Sequence, residues 1–71
     1  MPKMIAVSST SVQRVGYATA ERELHVQFKS SDTIYIYEGV PRAIFEQLLA
    51  APSIGTFVNQ QIKDAYAFHT Q

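Results

Sequence analysis

The chain contains no cysteine, no tryptophan and only three glycines, and its charges favour neither sign. Without cysteine it cannot form a disulfide framework, a thiolate zinc site or a thiol nucleophile. Six basic and six acidic residues cancel, so any contact with nucleic acid must use a local basic patch. No apolar run approaches the ~20 residues of a membrane-spanning helix, and the N-terminus does not fit a signal peptide. We therefore expect a soluble cytoplasmic protein, or a fragment of one, without a membrane contact.

The length and composition fit one small globular domain. The chain has 71 residues, of which 46% are hydrophobic and 17% charged, which is the composition of a folded protein rather than a disordered one. We expect a single domain over residues 1–71 with its core at about 5–68. A domain of this size buries only ~60% of the surface of its unfolded chain, so a deep active-site cleft is not expected.

Three segments have the pattern of β-strands. The first begins at residue 12, and Gly16 within it indicates a bulge or a close backbone approach. The second, 24–29, alternates apolar and polar residues, as does a strand with one buried face. The third, 33–38, is bulky on both faces. Residues 1–10 read as a leader whose apolar side chains could dock at a sheet edge.

Two helices are expected after these strands. Pro41 suits the first helical position, because its missing N–H would be unpaired there, and Pro52 ends that helix. Ser53 suits the N-cap of the second helix. The predicted fold is α+β, a three-stranded antiparallel meander followed by two helices packed on one face (β-β-β-α-α). The apolar stripes of the helices are Ile44, Phe45, Leu48 and Leu49, then Ile54, Phe57, Val58 and Ile62.

An ordered set of short motifs covers residues 5–66. It comprises Val7-Ser8-Ser9, Val15-Gly16-Tyr17, Leu24-x-Val26-x-Phe28, Tyr35-x-Tyr37, Val40-Pro41, Ser53-x-Gly55, Phe57-x-Asn59, and Ile62-Lys63 with Tyr66. In this order the motifs resemble the KTSC domain, a small module named for a C-terminal segment of some lysyl-tRNA synthetases. The resemblance implies a short stand-alone or appended domain with a suspected role in RNA binding and no established activity. The chain departs from the family at Ser31-Asp32, where a glycine-containing turn is expected.

Tyr35 and Tyr37 share one face of the third strand. On an exposed sheet face such a pair can stack nucleobases, each worth ~1–3 kcal/mol. Beneath the helices the rings would instead belong to the core, with their hydroxyls bonded to a partner. We expect the buried arrangement, which places Ile34 and Ile36 on the outer face. An exposed apolar pair of this kind often marks a partner surface, so protein–protein interaction or homo-oligomerisation is the alternative to RNA binding.

The turn at Ser53 and Gly55 is a second candidate contact. The N–H groups at a helix start attract phosphate or carboxylate, and Asn59 lies about one turn further along. The alternative is an ordinary capped helix, with Gly55 present for close packing against the first helix.

Basic residues near these positions could follow a phosphate backbone, although such residues more often form a solvated surface balanced by nearby acids. The candidate nucleic-acid-binding residues are Arg14, Lys29, Tyr35, Tyr37, Ser53, Gly55, Asn59 and Lys63.

No pattern of side chains indicates catalysis. His25 and His69 have no partners at ligand spacing, no serine lies in a nucleophile motif, and the acids are not paired. We therefore expect a non-catalytic binding module without a cofactor or metal, which uses a local basic and aromatic surface to bind RNA or another nucleic acid.

Overall fold

A five-stranded antiparallel sheet organises the molecule, and helical segments cover one of its faces. The computed structural model describes residues 2–71. The strands are β1 (Ile5–Ala6), β2 (Val12–Ala18), β3 (Glu23–Phe28), β4 (Ile34–Tyr37) and β5 (Phe68–Thr70), and they lie in the sheet in chain order. Helix α1 spans Arg42–Ala50, and α2 (Ile54–Phe57) continues directly into a π-helical segment, Val58–Ile62. Within residues 2–71 no helix has the length and apolarity needed to cross a bilayer.

The predicted three-stranded meander is wrong, because two further strands complete the sheet. β1 pairs with β2 through Ile5 and Ala6 at one edge of the sheet, and β5 pairs with β4 at the other edge. Strands of two and three residues are too short to show a period of two, and their pairing depends on the edge that the longer strands offer. The α+β class holds, but the order along the chain is four strands, the helices and a fifth strand.

The face of β3 that carries its apolar residues lies beneath the helices. Leu24 is paired with Tyr37 and Val26 with Tyr35, so both tyrosines share this face, as expected. Residues in register on neighbouring strands point to the same side of a sheet. The buried core consists of Val12, Val15, Leu24, Val26, Tyr37, Val40, Phe45, Leu48, Ile54, Val58 and Ile62.

Both ends of α1 are determined by local chemistry. The helix begins at Arg42, so Pro41 occupies the N-cap position and not the predicted first helical position. At its end the Ala51 N–H donates to the Leu48 carbonyl at 3.1 Å, and Pro52 follows. The predicted capping by Ser53 is confirmed, since its Oγ accepts a hydrogen bond from the Thr56 N–H at 3.3 Å.

The sheet face opposite the helices is covered in part by the start of the chain. A Cβ added at Gly16 would lie 2.8 Å from Met4 Sδ and 2.9 Å from the Lys3 carbonyl oxygen, so the predicted close backbone approach is confirmed. Ile36, on this face, is only 6% exposed, and Ile34 is half-buried. The two isoleucines therefore do not form the exposed apolar pair on which the protein-interaction alternative depended.

Candidate functional site

A groove rich in aromatic rings lies where β4, β5 and the π-helical segment meet. Its volume is about 270 Å³. We call it the aromatic groove; it is lined by Phe28, Ser30, Ser31, Tyr35, Tyr37, Asn59, Lys63 and Phe68. The candidate residues Tyr35, Tyr37, Asn59 and Lys63 thus come together in one place, although they belong to elements far apart in sequence.

The rings of the aromatic groove form a connected cluster. Tyr35 and Tyr37 stack with centroids 6.5 Å apart and an interplanar angle of 20°. Phe68 leans on both, at 5.4 Å from Tyr35 and 5.6 Å from Tyr37. Phe28 meets Tyr35 edge-on at 5.4 Å. Phe68 remains 50% exposed, so the cluster presents a ring surface to solvent as well as packing against the core.

For the buried arrangement of the two tyrosines, the sequence predicts hydroxyls that are bonded to a partner. The hydroxyls of Tyr35 and Tyr37 are not among the enclosed polar atoms that lack a partner. Both residues line the groove. Burial raises the pKa of Tyr37 above its ordinary value, and the nearby Tyr35 raises it further. The Tyr37 hydroxyl is therefore neutral at physiological pH and is available as a hydrogen-bond donor.

The π-helical segment explains how Asn59 and Lys63 reach the same groove. The Lys63 N–H donates to the Val58 carbonyl at 2.8 Å, which is the five-residue spacing of a π turn. Residues four apart lie on the same face of a helical segment, about one turn apart. As a result the buried Ile62 stays on the same side as Val58, and Lys63 stays beside Asn59. π turns occur frequently at functional sites.

A second depression, which we call the serine cleft, brings Lys29 and Ser53 together. It measures about 410 Å³ and is lined by Ser8, Ser9, Thr10, Lys29, Pro52, Ser53 and Ile54. The loop between β1 and β2 forms one wall, where Ser9 Oγ accepts a hydrogen bond from the Val12 N–H at 3.2 Å. Lys29 immediately follows Phe28 of the aromatic groove in the chain, so the two depressions border the same turn.

Gly55 is required by a close contact with the loop between β1 and β2, and not by the expected contact with the first helix. A Cβ at this position would overlap with Ser11 Oγ of the loop between β1 and β2. The glycine therefore permits close packing against this loop and not against α1. Gly55 packs against this loop, and it lines neither the aromatic groove nor the serine cleft.

Arg14 does not join the other candidate residues. It lies on the sheet face opposite the helices, where its Nε donates to Gln27 Oε1 at 2.8 Å. Arg14 is therefore apart from Lys29 and Lys63, and the three do not form one basic patch.

A wider depression, about 670 Å³, is also on the face opposite the helices. Its lining includes Glu21, Glu23 and the buried His25 but no lysine or arginine. His25 Nε2 lies 3.4 Å from Glu23 Oε1, and its Nδ1 is enclosed without a partner. A lining of carboxylates without a cation repels phosphate, so this depression is a poor site for nucleic acid. Within residues 2–71 no group of three or more acids and histidines is arranged to hold a metal ion.

Sequence reasoning missed four residues of the site, namely Phe28, Ser30, Ser31 and Phe68. The pairing of Phe68 opposite Tyr37 in β5 is what brings its ring to the groove. The sequence does contain one indirect sign, since an aromatic residue near a terminus is poorly explained by a frayed tail.

Comparison with known proteins identifies the family. A family model described as the KTSC domain matches residues 8–66. The chain is 40% identical over 63 residues to a protein of Tsukamurella paurometabola, covering 89% of this chain and 92% of that one. It is 39% identical over 61 residues to an uncharacterized protein of Stutzerimonas stutzeri, covering 86% of this chain and 84% of that one.

A solved structure shows the same architecture. The crystal structure of a KTSC domain protein from Yersinia pestis superimposes with a TM-score of 0.94 at 28% identity, covering 100% of this chain and 99% of that one. The resemblance seen in the sequence motifs is thereby confirmed, and the chain belongs to the KTSC domain family.

Proposed function

We propose that the domain is a non-catalytic RNA-binding module that holds single-stranded RNA in the aromatic groove. The observation that carries the proposal is the meeting of a solvent-reaching ring cluster with Asn59 and Lys63 in one groove. These are the side-chain types that single-stranded nucleic acid requires, namely rings for its bases, a cation for its phosphates and an amide for base edges.

Stacking supplies most of the affinity in this proposal. Phe68 presents half of its surface to solvent above Tyr35 and Tyr37. Base stacking on an aromatic side chain is worth ~1–3 kcal/mol per base and tolerates any sequence. A base must be unpaired before it can stack in this way, so the groove favours single strands over duplexes.

Charge contributes less than in most nucleic-acid-binding proteins. Lys63 lines the groove and Lys29 lines the adjacent serine cleft, which gives one or two phosphate contacts. For single strands, log affinity falls with log salt by about 0.7 per contact. Raising the salt from about 50 mM to about 200 mM should therefore weaken binding only about three- to sevenfold. A zero net charge is consistent with this modest dependence.

An amide NMR titration with a mixed-sequence single-stranded RNA octamer, at both salt concentrations, tests the proposal. We expect shifts for Tyr35, Asn59, Lys63 and Phe68 that saturate and that weaken with salt as calculated. Replacing Lys63 by Gln should reduce both the affinity and the salt dependence. The matched control, Arg42→Gln, removes an equal charge from an exposed site outside the groove and should bind as the wild type does.

Two results would refute the proposal. If no shifts occur at the low or at the high salt concentration, RNA is excluded as the ligand and a protein partner becomes the next candidate. Shifts confined to Arg14 and its neighbours would place binding on the other sheet face and would exclude the aromatic groove as the site.

A further inference from the structure

The serine cleft has the side chains of a phosphate site and no acid that would oppose one. Among its lining residues are four hydroxyl side chains and one lysine, namely Ser8, Ser9, Thr10, Ser53 and Lys29. No carboxylate is among the lining residues that the structure describes. Lys29 is exposed and takes part in none of the ion pairs within residues 2–71. A free ammonium group surrounded by hydroxyls, with no acid nearby, attracts an anion.

The Ser9 hydroxyl is left with one role to fill. Its Oγ accepts hydrogen bonds from the N–H groups of Ser11 at 3.3 Å and Val12 at 3.2 Å. A hydroxyl oxygen has two lone pairs, so both are in use and the O–H proton remains for a ligand. Among the described residues this proton has no acceptor. Ser9 can therefore bind a ligand only as a donor, which is the role that a phosphate oxygen requires.

Ser53 contributes shape to the cleft and no free donor. Its hydroxyl donates to Thr56 Oγ1 at 3.0 Å and accepts from the Thr56 N–H at 3.3 Å, so both roles serve the start of α2. The anion contacts of the cleft therefore depend on Ser9 and Lys29, which lie outside the helix.

Ser11 fixes the walls of the cleft relative to one another. Its carbonyl accepts a hydrogen bond from the Lys29 N–H at 2.8 Å, which joins the loop between β1 and β2 to the end of β3. Its Oγ occupies the space that a Cβ on Gly55 would need, so the same loop packs directly on α2. A site whose walls are fixed before binding loses less conformational freedom when a ligand arrives.

The serine cleft adjoins the aromatic groove. Lys29 lies between Phe28 and Ser30 in the chain, and both of these line the groove. We propose that the serine cleft is a phosphate-binding subsite, which holds a backbone phosphate of the RNA strand whose base stacks in the aromatic groove. Lys29 supplies the charge and Ser9 the hydrogen bond. Contacts of this kind position a strand and carry no base preference. This inference rests on the proposed function, and it gives the strand a second anchor outside the groove.

Two substitutions separate the charge from the hydrogen bond. Fluorescence anisotropy measures binding of the mixed-sequence RNA octamer over a series of salt concentrations. Lys29→Gln should weaken binding and should lower the slope of log affinity against log salt by about 0.7, the share of one phosphate contact. Ser9→Ala should weaken binding about two- to tenfold, the range for one hydrogen bond. It should leave the salt slope unchanged, because no charge is lost.

Lys3→Gln is the matched control for the charge. Lys3 is exposed, lies against Gly16 on the other sheet face and lines neither the cleft nor the groove. Its removal should leave the affinity and the salt slope as in the wild type. Ser9 also bonds two backbone groups, so thermal denaturation checks that Ser9→Ala is folded. If it is not, Lys29→Gln alone decides through its salt slope.

Inorganic phosphate tests the cleft without RNA. In an amide NMR titration of the wild type, we expect saturable shifts for Ser9, Thr10 and Lys29, and their loss in Lys29→Gln. The aromatic groove should not respond, because phosphate has no base to stack.

The outcomes separate the two proposals. If the folded cleft variants bind the octamer with the affinity and salt slope of the wild type, the phosphate subsite is overturned and RNA binding in the aromatic groove stands. If the octamer binds none of the proteins but phosphate shifts the cleft residues, the proposed function falls and the cleft remains an anion site. If neither ligand binds, both proposals fall.

Discussion

Replacing Phe68 by Ala separates the binding role of the aromatic groove from its structural role. The ring is 50% exposed, so its removal forfeits about half the burial of a phenylalanine, or about 1 kcal/mol. Lost contacts with Tyr35 and Tyr37, at 5.4 and 5.6 Å, add about 1 kcal/mol. The total of about 2 kcal/mol is below the 5 kcal/mol or so that a small domain typically has, so the variant should remain folded.

The folded variant should nevertheless lose RNA affinity, because the ring that stacks on the base is missing. If one base stacks on Phe68, the variant should bind the octamer roughly 5- to 150-fold more weakly, from ~1–3 kcal/mol per stacked base. Urea denaturation gives the stability and fluorescence anisotropy gives the affinity of the same sample.

Leu49→Ala is the matched control. Leu49 is 43% exposed on α1 and lies outside the groove, so its removal should leave RNA affinity unchanged. If the folded Phe68→Ala variant binds RNA within about twofold of the wild type, the reasoning on stacking is wrong.

Three further predictions concern the fold that supports the groove. Ile62 is fully buried in the π-helical segment, so Ile62→Ala should lower the free energy of unfolding by ~2–5 kcal/mol. Gln61→Ala, on the exposed side of the segment, should change it by no more than about 0.5 kcal/mol in the same urea titration. Equal effects would contradict the assigned buried face. Ser53→Ala removes the N-cap of α2 and should cost about 1 kcal/mol, which thermal denaturation detects, and an unchanged melting temperature would contradict the capping role. Because the pKa of Tyr37 is raised in the folded state from the ordinary value of 10.0, its stabilising contribution is complete below pH 10.0 and is lost as the pH rises through the folded-state pKa. Ultraviolet titration should show one tyrosine that ionises late and is absent from Tyr37→Phe, and identical titration curves for the two proteins would contradict the assignment.

Much of the sheet and its buried face follow from sequence patterns. The period of two in β3 and the bulky β4 specify which residues lie beneath the helices, because a one-residue slip would expose the whole apolar set. The Ser53 cap and the stop at Pro52 follow equally from local chemistry. The strands β1 and β5 do not, since they have two and three residues and owe their pairing to a sheet edge formed elsewhere in the chain.

The candidate site was predictable only in part. Tyr35 and Tyr37 are marked by their aromatic spacing, Asn59 by its place about one turn beyond Ser53, and Lys63 by its charge. Their convergence with the rings depends on how this helical segment docks on the sheet, with Val58 and Ile62 in the core, and such docking has no local sequence signature. Arg14 was included for its charge, but its pairing opposite Gln27 puts it on the sheet face away from the groove.

The measurement that tests the central claim most directly is an isotope-filtered NOE experiment on the labelled domain with a bound, unlabelled single-stranded RNA octamer. The account predicts contacts from base protons to the rings of Phe68 and Tyr35 and to the Asn59 side chain. Contacts only with residues of the opposite face, such as Arg14 or Ile34, would contradict it, as would a saturated complex without any contact to the aromatic groove.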